Sequence, residues 1–219
     1  MTTPAAFLFD LDGTLAHTLP DLAASTNHVR QQHGLPRVEA EAVRGWIGDG
    51  ARALLRRALD PALPADDGAR EAALDEAFAA YTAHHEQQCT RESTLFDGVI
   101  PHLEELRARG HKLAVVTNKP ERFAVPVARF LGLDALCDVI VGGDTLPTKK
   151  PDPAMLAHAL DRLGAPRAGA TMVGDGLQDL RAGKALGVRT IACLFGYGDA
   201  AALREERADE YWRAFAKPL

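Results

Sequence analysis

The sequence predicts an α/β protein with a core built on a doubly wound, parallel sheet and with a helical insert. Three observations lead to this fold class. Short apolar runs recur along the chain, helical patterns fill the intervals between the later runs, and residues 16–91 contain helical patterns only. Strands that alternate with helices favour parallel pairing, because a parallel connection needs a crossover.

The predicted strands are short apolar runs of the kind that is buried on both faces. The first, residues 5–9, reads AAFLF and stops at Asp10, just before a turn at Asp12-Gly13. The others cover residues 112–117, 138–141, 170–173 and 188–192.

Helices are predicted from apolar residues at helical spacing within 100–106, 123–131, 155–163 and 177–186. Each pattern stops at a glycine, at positions 110, 132, 164 and 187. A glycine just past the last turn favours a helix end, since it adopts the left-handed conformation at little cost.

The insert begins soon after the first strand. Its predicted helices cover residues 22–33, 41–46, 51–59 and 70–88, with glycine and proline between them. We therefore predict a core of residues 1–15 and 92–219 and a helical cap of residues 16–91. The hinges are expected near 14–18 and 91–96.

Composition excludes some classes of partner. Apolar residues make up 47% of the chain and charged residues 25%, which is typical of a globular protein with a proper core. The formal net charge of -5 argues against general attraction to nucleic acid or to an anionic membrane. We expect neither as a partner, and we expect a monomer or a homodimer.

Cysteine usage and the N-terminal residues predict a cytoplasmic location. Cys89, Cys137 and Cys193 form no C-x-x-C pair and no disulfide framework, which favours buried thiols in a reducing compartment. Residues 1–4 do not resemble a signal peptide, and no run approaches the roughly 20 apolar residues that span a bilayer.

Polar residues follow the predicted strands. They are Asp10 and Asp12 after the first, Thr117 and Asn118 after the second, and Asp175 after the fourth. Lys150 precedes the third helix of the core. Ligands bind outside the carboxyl ends of the strands in such sheets, so these residues are expected to converge on one crevice.

That set of side chains suits phosphoryl transfer. Clustered carboxylates repel one another unless a cation neutralises them, and Mg²⁺ accepts oxygen ligands together with a phosphate oxygen. A lysine and a threonine hydroxyl can bind the remaining phosphate oxygens, and a carboxylate can act as the nucleophile.

Four segments resemble the ordered motifs of the haloacid dehalogenase superfamily of phosphatases. They are D-L-D-G-T-L at 10–15, V-T-N-K-P at 116–120, K-P-D-P at 150–153 and G-D-G-L-Q-D at 174–179. The resemblance covers nearly the whole chain. It implies a Rossmann-like core with a helical cap, and Mg²⁺ as the cofactor.

The resemblance also implies a role for each acid. Asp10 is the expected nucleophile and a metal ligand. Asp12 protonates the leaving alcohol, activates water, and binds the metal through its backbone carbonyl. Asp175 is a metal ligand through its side chain, and Asp179 supports the metal ligands from behind.

Other motif residues are expected to hold the phosphoryl group. Thr117 and the backbone amide of Asn118 bind its oxygens, and Lys150 neutralises both Asp10 and the phosphate. Residues 43–50, which include Gly48, resemble the loop that phosphoglycolate phosphatases lay over their substrate.

The resemblance therefore predicts a Mg²⁺-dependent phosphate monoester hydrolase that forms an aspartyl-phosphate, with 2-phosphoglycolate as the preferred substrate. Its partner is a small phosphorylated metabolite. The alternatives are a sister phosphatase for a sugar phosphate, an amino-sugar phosphate or a pyrophosphate, a phosphomutase, and a non-catalytic binding module.

Some features depart from the family pattern or have a simpler explanation. His17 stands where an acidic residue is common, and Gly176 and Gln178 stand where serine and asparagine are frequent. Asp179 could serve only the start of its helix. Since adjacent helical residues point in different directions, His84 and His85 indicate a solvated helix rather than a metal site.

Overall fold

The computed structural model describes residues 5–215. The prediction that residues 1–4 are not a signal peptide falls outside the described residues. The strands are β1 (Ala6–Phe9), β2 (Ala16–His17), β3 (Thr94–Leu95), β4 (Lys112–Val116), β5 (Val139–Val141), β6 (Thr171–Gly174), β7 (Arg189–Cys193) and β8 (Glu210–Trp212). The helices are α1 (Leu19–Gln32), α2 (Ala40–Arg44), α3 (Ala51–Leu59), α4 (Asp67–Gln88), α5 (Val99–Ala108), α6 (Glu121–Phe130), α7 (Ala154–Leu163), α8 (Leu177–Leu186) and α9 (Ala200–Glu205).

Six strands form one sheet in the order β5-β4-β1-β6-β7-β8, and every neighbouring pair is parallel. Phe7 in β1 pairs with Leu113 in β4 on one side and with Thr171 in β6 on the other. On each side of β1 the strands thus follow in sequence order, β4 and β5 on one side and β6, β7 and β8 on the other. This confirms the predicted doubly wound, Rossmann-like class, and it places a ligand crevice at the end of β1.

Both faces of the sheet are covered, as the apolar strands require. Leu8 of β1 and Ala114 of β4 face one apolar layer, which includes Met155 and Leu156 of α7. Phe9 and Val115 belong to the layer on the opposite face, with residues of α5 and α6. Successive side chains of a strand point to opposite faces, so both layers hold β1 in place.

Helices α1 to α4 lie between β2 and β3, which pair antiparallel as Ala16 with Leu95 and His17 with Thr94. The helices share an apolar cluster that includes Val29, Leu55, Leu74 and Tyr81, and Phe123 of α6 belongs to it as well. We call residues 16–91 the proposed cap, and its boundaries stay a prediction.

The structure adds elements that the sequence patterns did not predict. Strands β2 and β3 have two residues each, too few for periodicity to show. Strand β8 is an edge strand with the sequence EYW, in which Tyr211 is exposed and Trp212 packs on the core. No apolar run marks this segment, so the sequence pattern does not predict that it extends the sheet.

The cysteines are free and buried, as expected of structural thiols. Burial raises the pKa of Cys137 to about 12, so this thiol stays protonated at neutral pH. Across residues 5–215, no helix is both long enough and apolar enough to cross a bilayer.

Candidate active site

Three buried carboxylates meet where β1 and β6 end. Asp10 follows β1, Asp175 follows β6, and Asp179 lies in the first turn of α8. Each offers an oxygen within 4.8 Å of the others. Asp10 is more than a hundred positions away from Asp175 and Asp179 in the sequence, and the parallel pairing of β1 with β6 brings it to them.

Lys150 lies against this three-carboxylate cluster. Its Nζ is 3.0 Å from Asp10 Oδ1 and 2.6 Å from Asp179 Oδ1, and it donates to Val116 O at 2.6 Å. Burial alone would lower the pKa of Lys150, but the charges of Asp10 and Asp179 outweigh it and raise that pKa. Lys150 is therefore a permanent cation beside Asp10.

The other two carboxylates resist ionisation. Burial, together with the charges of Asp10 and Asp179, raises the pKa of Asp175 to about 8. Burial raises the pKa of Asp179 to about 6, with the charge of Asp10 adding to it and Lys150 opposing it. One lysine does not balance three carboxylates, so the cluster favours a further cation.

A divalent ion fits the cluster by its chemistry. The donors are carboxylate oxygens, which Mg²⁺ prefers, and they are buried and close together. Asp175 is held in place because Thr14 Oγ1 donates to its Oδ1 at 2.7 Å and Tyr197 N donates to its Oδ2 at 2.7 Å.

Asp12 has separate partners. Its carboxylate accepts hydrogen bonds from Lys119 Nζ at 3.0 and 3.2 Å and from Thr18 Oγ1 at 2.6 Å. The Lys119 side chain is only 3% exposed, so this ion pair is shielded from water. The structure therefore separates one acid, Asp12, from the three-carboxylate cluster.

Asn118 ties together the loops around the site. Its Nδ2 donates to Lys150 O at 2.9 Å, and its Oδ1 accepts from Lys150 N at 3.0 Å. Nδ2 also donates to Gly48 O of the proposed cap at 3.0 Å. Thr117 Oγ1 accepts from Lys119 N at 3.2 Å, which leaves its proton for another acceptor.

The proposed cap closes over these residues. Arg44 donates from Nη2 to Gly196 O at 2.7 Å and from Nε to Tyr197 O at 3.2 Å. Lys149 donates to the backbone oxygen of Asp49. A cleft of ≈ 910 Å³ lies between the two parts, with Asp10, Asp12 and Thr117 among its lining residues.

Comparison with known proteins then decides the family. The family described as haloacid dehalogenase-like hydrolase matches residues 7–193. The chain belongs to this family.

Its relatives extend the assignment. The phosphoglycolate phosphatase of Pseudomonas syringae pv. syringae (strain B728a) is 39% identical over 206 residues, which cover 93% of this chain and 74% of the relative. That of Colwellia psychrerythraea (strain 34H) is 37% identical over 190 residues, which cover 87% of this chain and 84% of the relative. These matches confirm the predicted family and the predicted enzyme class, a phosphatase.

Solved structures agree. A predicted phosphoglycolate phosphatase from Haemophilus somnus 129PT superposes with a TM-score of 0.85 at 32% identity, covering 99% of this chain and 96% of that one. CbbY from Rhodobacter sphaeroides, solved in complex with phosphate, superposes with a TM-score of 0.76 at 27% identity, covering 98% and 96%.

The departures in the fourth motif compensate each other. A Cβ on Gly176 would lie 2.0 Å from Gln178 Nε2, so the Gln178 side chain fills the space that a serine would need. The same Nε2 lies 3.0 Å from where a Cβ on Gly48 would be. Gln178 thus extends from the core to the cap loop of this hydrolase.

His17, the other departure, packs between aromatic rings. Its ring centroid lies 5.9 Å from that of Phe96 and 6.0 Å from that of Tyr197.

Asp179 has two partners. It accepts a hydrogen bond from Gly176 N at 2.9 Å, at the start of α8, and it is also paired with Lys150. The helix-start contact is thus observed, and the role of Asp179 behind the metal ligands stays a prediction.

Sequence reasoning missed two residues of the site. Lys119 belongs to the V-T-N-K-P motif at 116–120, but the family resemblance assigns it no role. Tyr197 lies in the segment FGYG (195–198), directly after β7. The signal that could have revealed Tyr197 is the rule already applied to the other strands, that residues after a parallel strand line the crevice.

The expectation of a solvated helix at His84 and His85 was wrong for His85. That side chain is buried, its ring lies 4.8 Å from Phe123 and 4.9 Å from Tyr81, and its Nδ1 is 2.8 Å from Ser25 Oγ. The apolar face of α4 packs toward α1 and α6 at this position. His84, one residue earlier, is only partly buried.

Proposed function

We propose that this hydrolase releases phosphate from a small phosphate monoester through an aspartyl-phosphate intermediate with Mg²⁺, and that 2-phosphoglycolate is its preferred substrate. The three-carboxylate cluster beside Lys150, beneath the cleft, carries the proposal. It combines a nucleophile, a cation site and a fixed positive charge in one place.

Mg²⁺ would be held by the side chains of Asp10 and Asp175 and by the backbone carbonyl of Asp12, with Asp179 supporting them. Bound there, the ion would supply positive charge against the carboxylates and the phosphate oxygens. Lys150 adds a second positive charge, and its contact with Asp10 Oδ1 at 3.0 Å keeps that carboxylate oriented.

In the first step, a carboxylate oxygen of Asp10 forms a bond to phosphorus as the bond from phosphorus to the leaving oxygen breaks. Asp12, in its acid form, gives its proton to that oxygen. Thr117 Oγ1 and the amide of Asn118 donate hydrogen bonds to the phosphoryl oxygens. These donors act where negative charge develops.

In the second step, Asp12 takes a proton from water as the water oxygen bonds to phosphorus and the bond to Asp10 breaks. Inorganic phosphate leaves and Asp10 is regenerated. The partners of Asp12, Lys119 at 3.0 Å and Thr18 at 2.6 Å, fix its carboxylate for both transfers.

The substrate assignment rests on the relatives and on the closed cleft. Relatives at 37% and 39% identity bear the name phosphoglycolate phosphatase. The cap loop is bonded to Asn118 through Gly48 O, next to the residues proposed to bind the phosphoryl group, and would favour a small leaving group there. Lys119 lines the cleft and would offer a cation to the carboxylate of glycolate.

The test is a phosphate-release screen with and without Mg²⁺ on 2-phosphoglycolate, sugar phosphates, an amino-sugar phosphate and pyrophosphate. We expect Mg²⁺-dependent release, with the highest kcat/KM on 2-phosphoglycolate. Asp10→Asn should abolish it, whereas Asp161→Asn, an exposed change on α7, should not. Full activity of Asp10→Asn would exclude the nucleophile, and transfer to a second sugar without phosphate release would indicate a mutase.

A further inference from the structure

Tyr197 connects the acidic cluster to the proposed cap through three of its atoms. Its backbone N donates to Asp175 Oδ2 at 2.7 Å. Its hydroxyl accepts from Thr18 N at 2.8 Å and from Leu19 N at 2.9 Å, and its carbonyl accepts from Arg44 Nε at 3.2 Å. Leu19 and Arg44 belong to the first two helices of the cap.

The hydroxyl replaces a missing helix cap. The first N–H groups of a helix lack partners within the helix, and a side chain at the preceding residue commonly accepts them. Thr18, the residue before α1, makes no such bond, and its Oγ1 donates to Asp12. The Tyr197 hydroxyl, from the core, accepts from Leu19 N, the first N–H of α1, and from Thr18 N, and so depends on where α1 lies.

The backbone on either side of Tyr197 packs closely against Asp175. A Cβ on Gly196 would lie 2.3 Å from Asp175 Cβ, and a Cβ on Gly198 would lie 1.9 Å from Asp175 O. Neither position has room for a side chain. The segment 196–198 therefore lies directly against Asp175, and a shift toward that residue would displace it.

Arg44 holds the same segment from the cap side. Its guanidinium binds Gly196 O at 2.7 Å as well as Tyr197 O. None of the described hydrogen bonds of Arg44 reaches the three clustered carboxylates, so its bonded connection to Asp175 runs through the backbone at 196–197.

We propose that Tyr197 is a positioning residue that couples the seated cap to the Asp175 carboxylate. With the cap seated, α1 and Arg44 fix the segment 195–198, and its amide fixes Asp175 Oδ2. With the cap displaced, two of these anchors are lost and Asp175 is held less firmly. The consequence for metal binding rests on the proposed function, in which Asp175 is a ligand of Mg²⁺.

The test is calorimetric titration of the metal-free protein with Mg²⁺, without substrate. We expect Tyr197→Phe, which keeps the ring and the amide but loses the hydroxyl, to bind Mg²⁺ roughly tenfold more weakly. Arg44→Met should have a similar effect. Since both residues act through the segment 195–198, their effects should not multiply. The dissociation constant for Mg²⁺ in the double variant should therefore rise by less than the product of the two single-variant factors.

Two variants serve as matched controls. Tyr211→Phe removes a tyrosine hydroxyl on the edge strand, and Arg52→Met removes a cap arginine whose partners are Glu71 and Asp75. Both should bind Mg²⁺ as the wild type does. In turnover assays, the Mg²⁺ concentration for half-maximal rate should rise in Tyr197→Phe by the same factor as the dissociation constant.

Wild-type affinity for Mg²⁺ in a folded Tyr197→Phe protein would overturn the coupling. If Tyr197→Phe does not fold, Arg44→Met decides the question alone, because it alters only the cap side. Failure of the proposed function would be seen in a different measurement. The wild type would then release no phosphate from any ester even when it binds Mg²⁺.

Discussion

Among single residues, Lys119 bears most directly on the proposed chemistry, because its ammonium contacts Asp12. It is buried and bonded to both oxygens of Asp12, the proposed acid and base. Without it, the Asp12 carboxylate keeps Thr18 as a partner but loses its only side-chain cation among the described ion pairs.

Lys119→Met should therefore lower kcat by roughly a hundredfold, the lower range for loss of general acid and base catalysis. The shape of the pH–rate profile should change as well, because the charge that faces Asp12 is gone. Steady-state kinetics between pH 5 and 9 would measure both effects. Lys184→Met, an exposed lysine of α8 paired with Glu206, is the control and should match the wild type.

His85 carries the pH dependence of stability at the residue scale. Burial, aided by the charges of Lys119 and His84, lowers the pKa of His85 to about 2 in the folded protein. The unfolded chain binds a proton there below pH about 6.5, so the folded state loses stability as the pH falls below that value.

Between pH 6.5 and 5 this site should cost roughly 2 kcal/mol of unfolding free energy. His85→Phe, which keeps a ring against Tyr81 and Phe123, should reduce the loss of stability over that interval by the same amount. Denaturant unfolding at the two pH values gives the comparison. An unchanged pH dependence in His85→Phe would contradict the assignment.

At the scale of elements, the loop after β7 is the most constrained segment of the site. A Cβ on Gly196 would lie 2.3 Å from Asp175 Cβ and 2.4 Å from Gly13 O. Neither neighbour is the end of a flexible side chain, so the loop or Asp175 has to move.

Gly196→Ala should accordingly lower phosphatase activity at least tenfold and reduce stability by about 1–3 kcal/mol, the usual cost of overpacking. Thermal unfolding and phosphate release measure the two effects. Gly68→Ala, in the first turn of α4, meets only Asp66 Oδ1 at 3.4 Å and should be neutral or slightly stabilising. Equal behaviour of the two variants would show that the close approach is relieved at no cost.

The predicted and the missed elements differ for a physical reason. Strands β1, β4, β6 and β7 are buried on both faces, so their residues are almost all apolar and the sequence reveals them. Strand β8 pairs on one side only, through Glu210, Tyr211 and Trp212, and no apolar run marks it. Edge position alone does not explain this, since β5 is also an edge strand and has the buried residues Val139 and Val141. In β8 no side chain is fully buried, so the strand requires no apolar run and the pattern is absent.

The same distinction applies to the site. Asp10, Asp175 and Lys150 could be predicted because each follows or precedes a recognisable element and belongs to a family motif. Lys119 and Tyr197 act through partners that lie far away in sequence, in the loop after β1 and in the proposed cap. The pairing of β1 with β4 reveals the partner of Lys119, and the packing of α1 and α2 onto the core reveals those of Tyr197.

At the scale of the whole molecule, strand order makes the sheet depend on the second half of the chain. Strand β1 lies between β4 and β6, and Phe7 pairs with residues 113 and 171. A fragment that ends at Gly169 lacks β6, β7 and β8 and leaves one edge of β1 unpaired.

Such a fragment should fail to unfold cooperatively and should aggregate, because an exposed apolar edge is a template for pairing between chains. Circular dichroism during heating and light scattering would test this. A sharp thermal transition in the fragment would show that β4, β5 and the helices on them suffice to complete a stable core.

The central position of β1 also orders events during synthesis. Its residues leave the ribosome first, yet at roughly 5–20 residues per second the segment that becomes β6 follows on the order of ten seconds later. Meanwhile helices α1 to α4 can already condense, because all but one of the buried residues in their apolar cluster lie in residues 16–91, the exception being Phe123. The proposed cap is thus expected to form before the sheet is complete, while β1, which precedes the proposed nucleophile Asp10, still lacks β6 as its second neighbour.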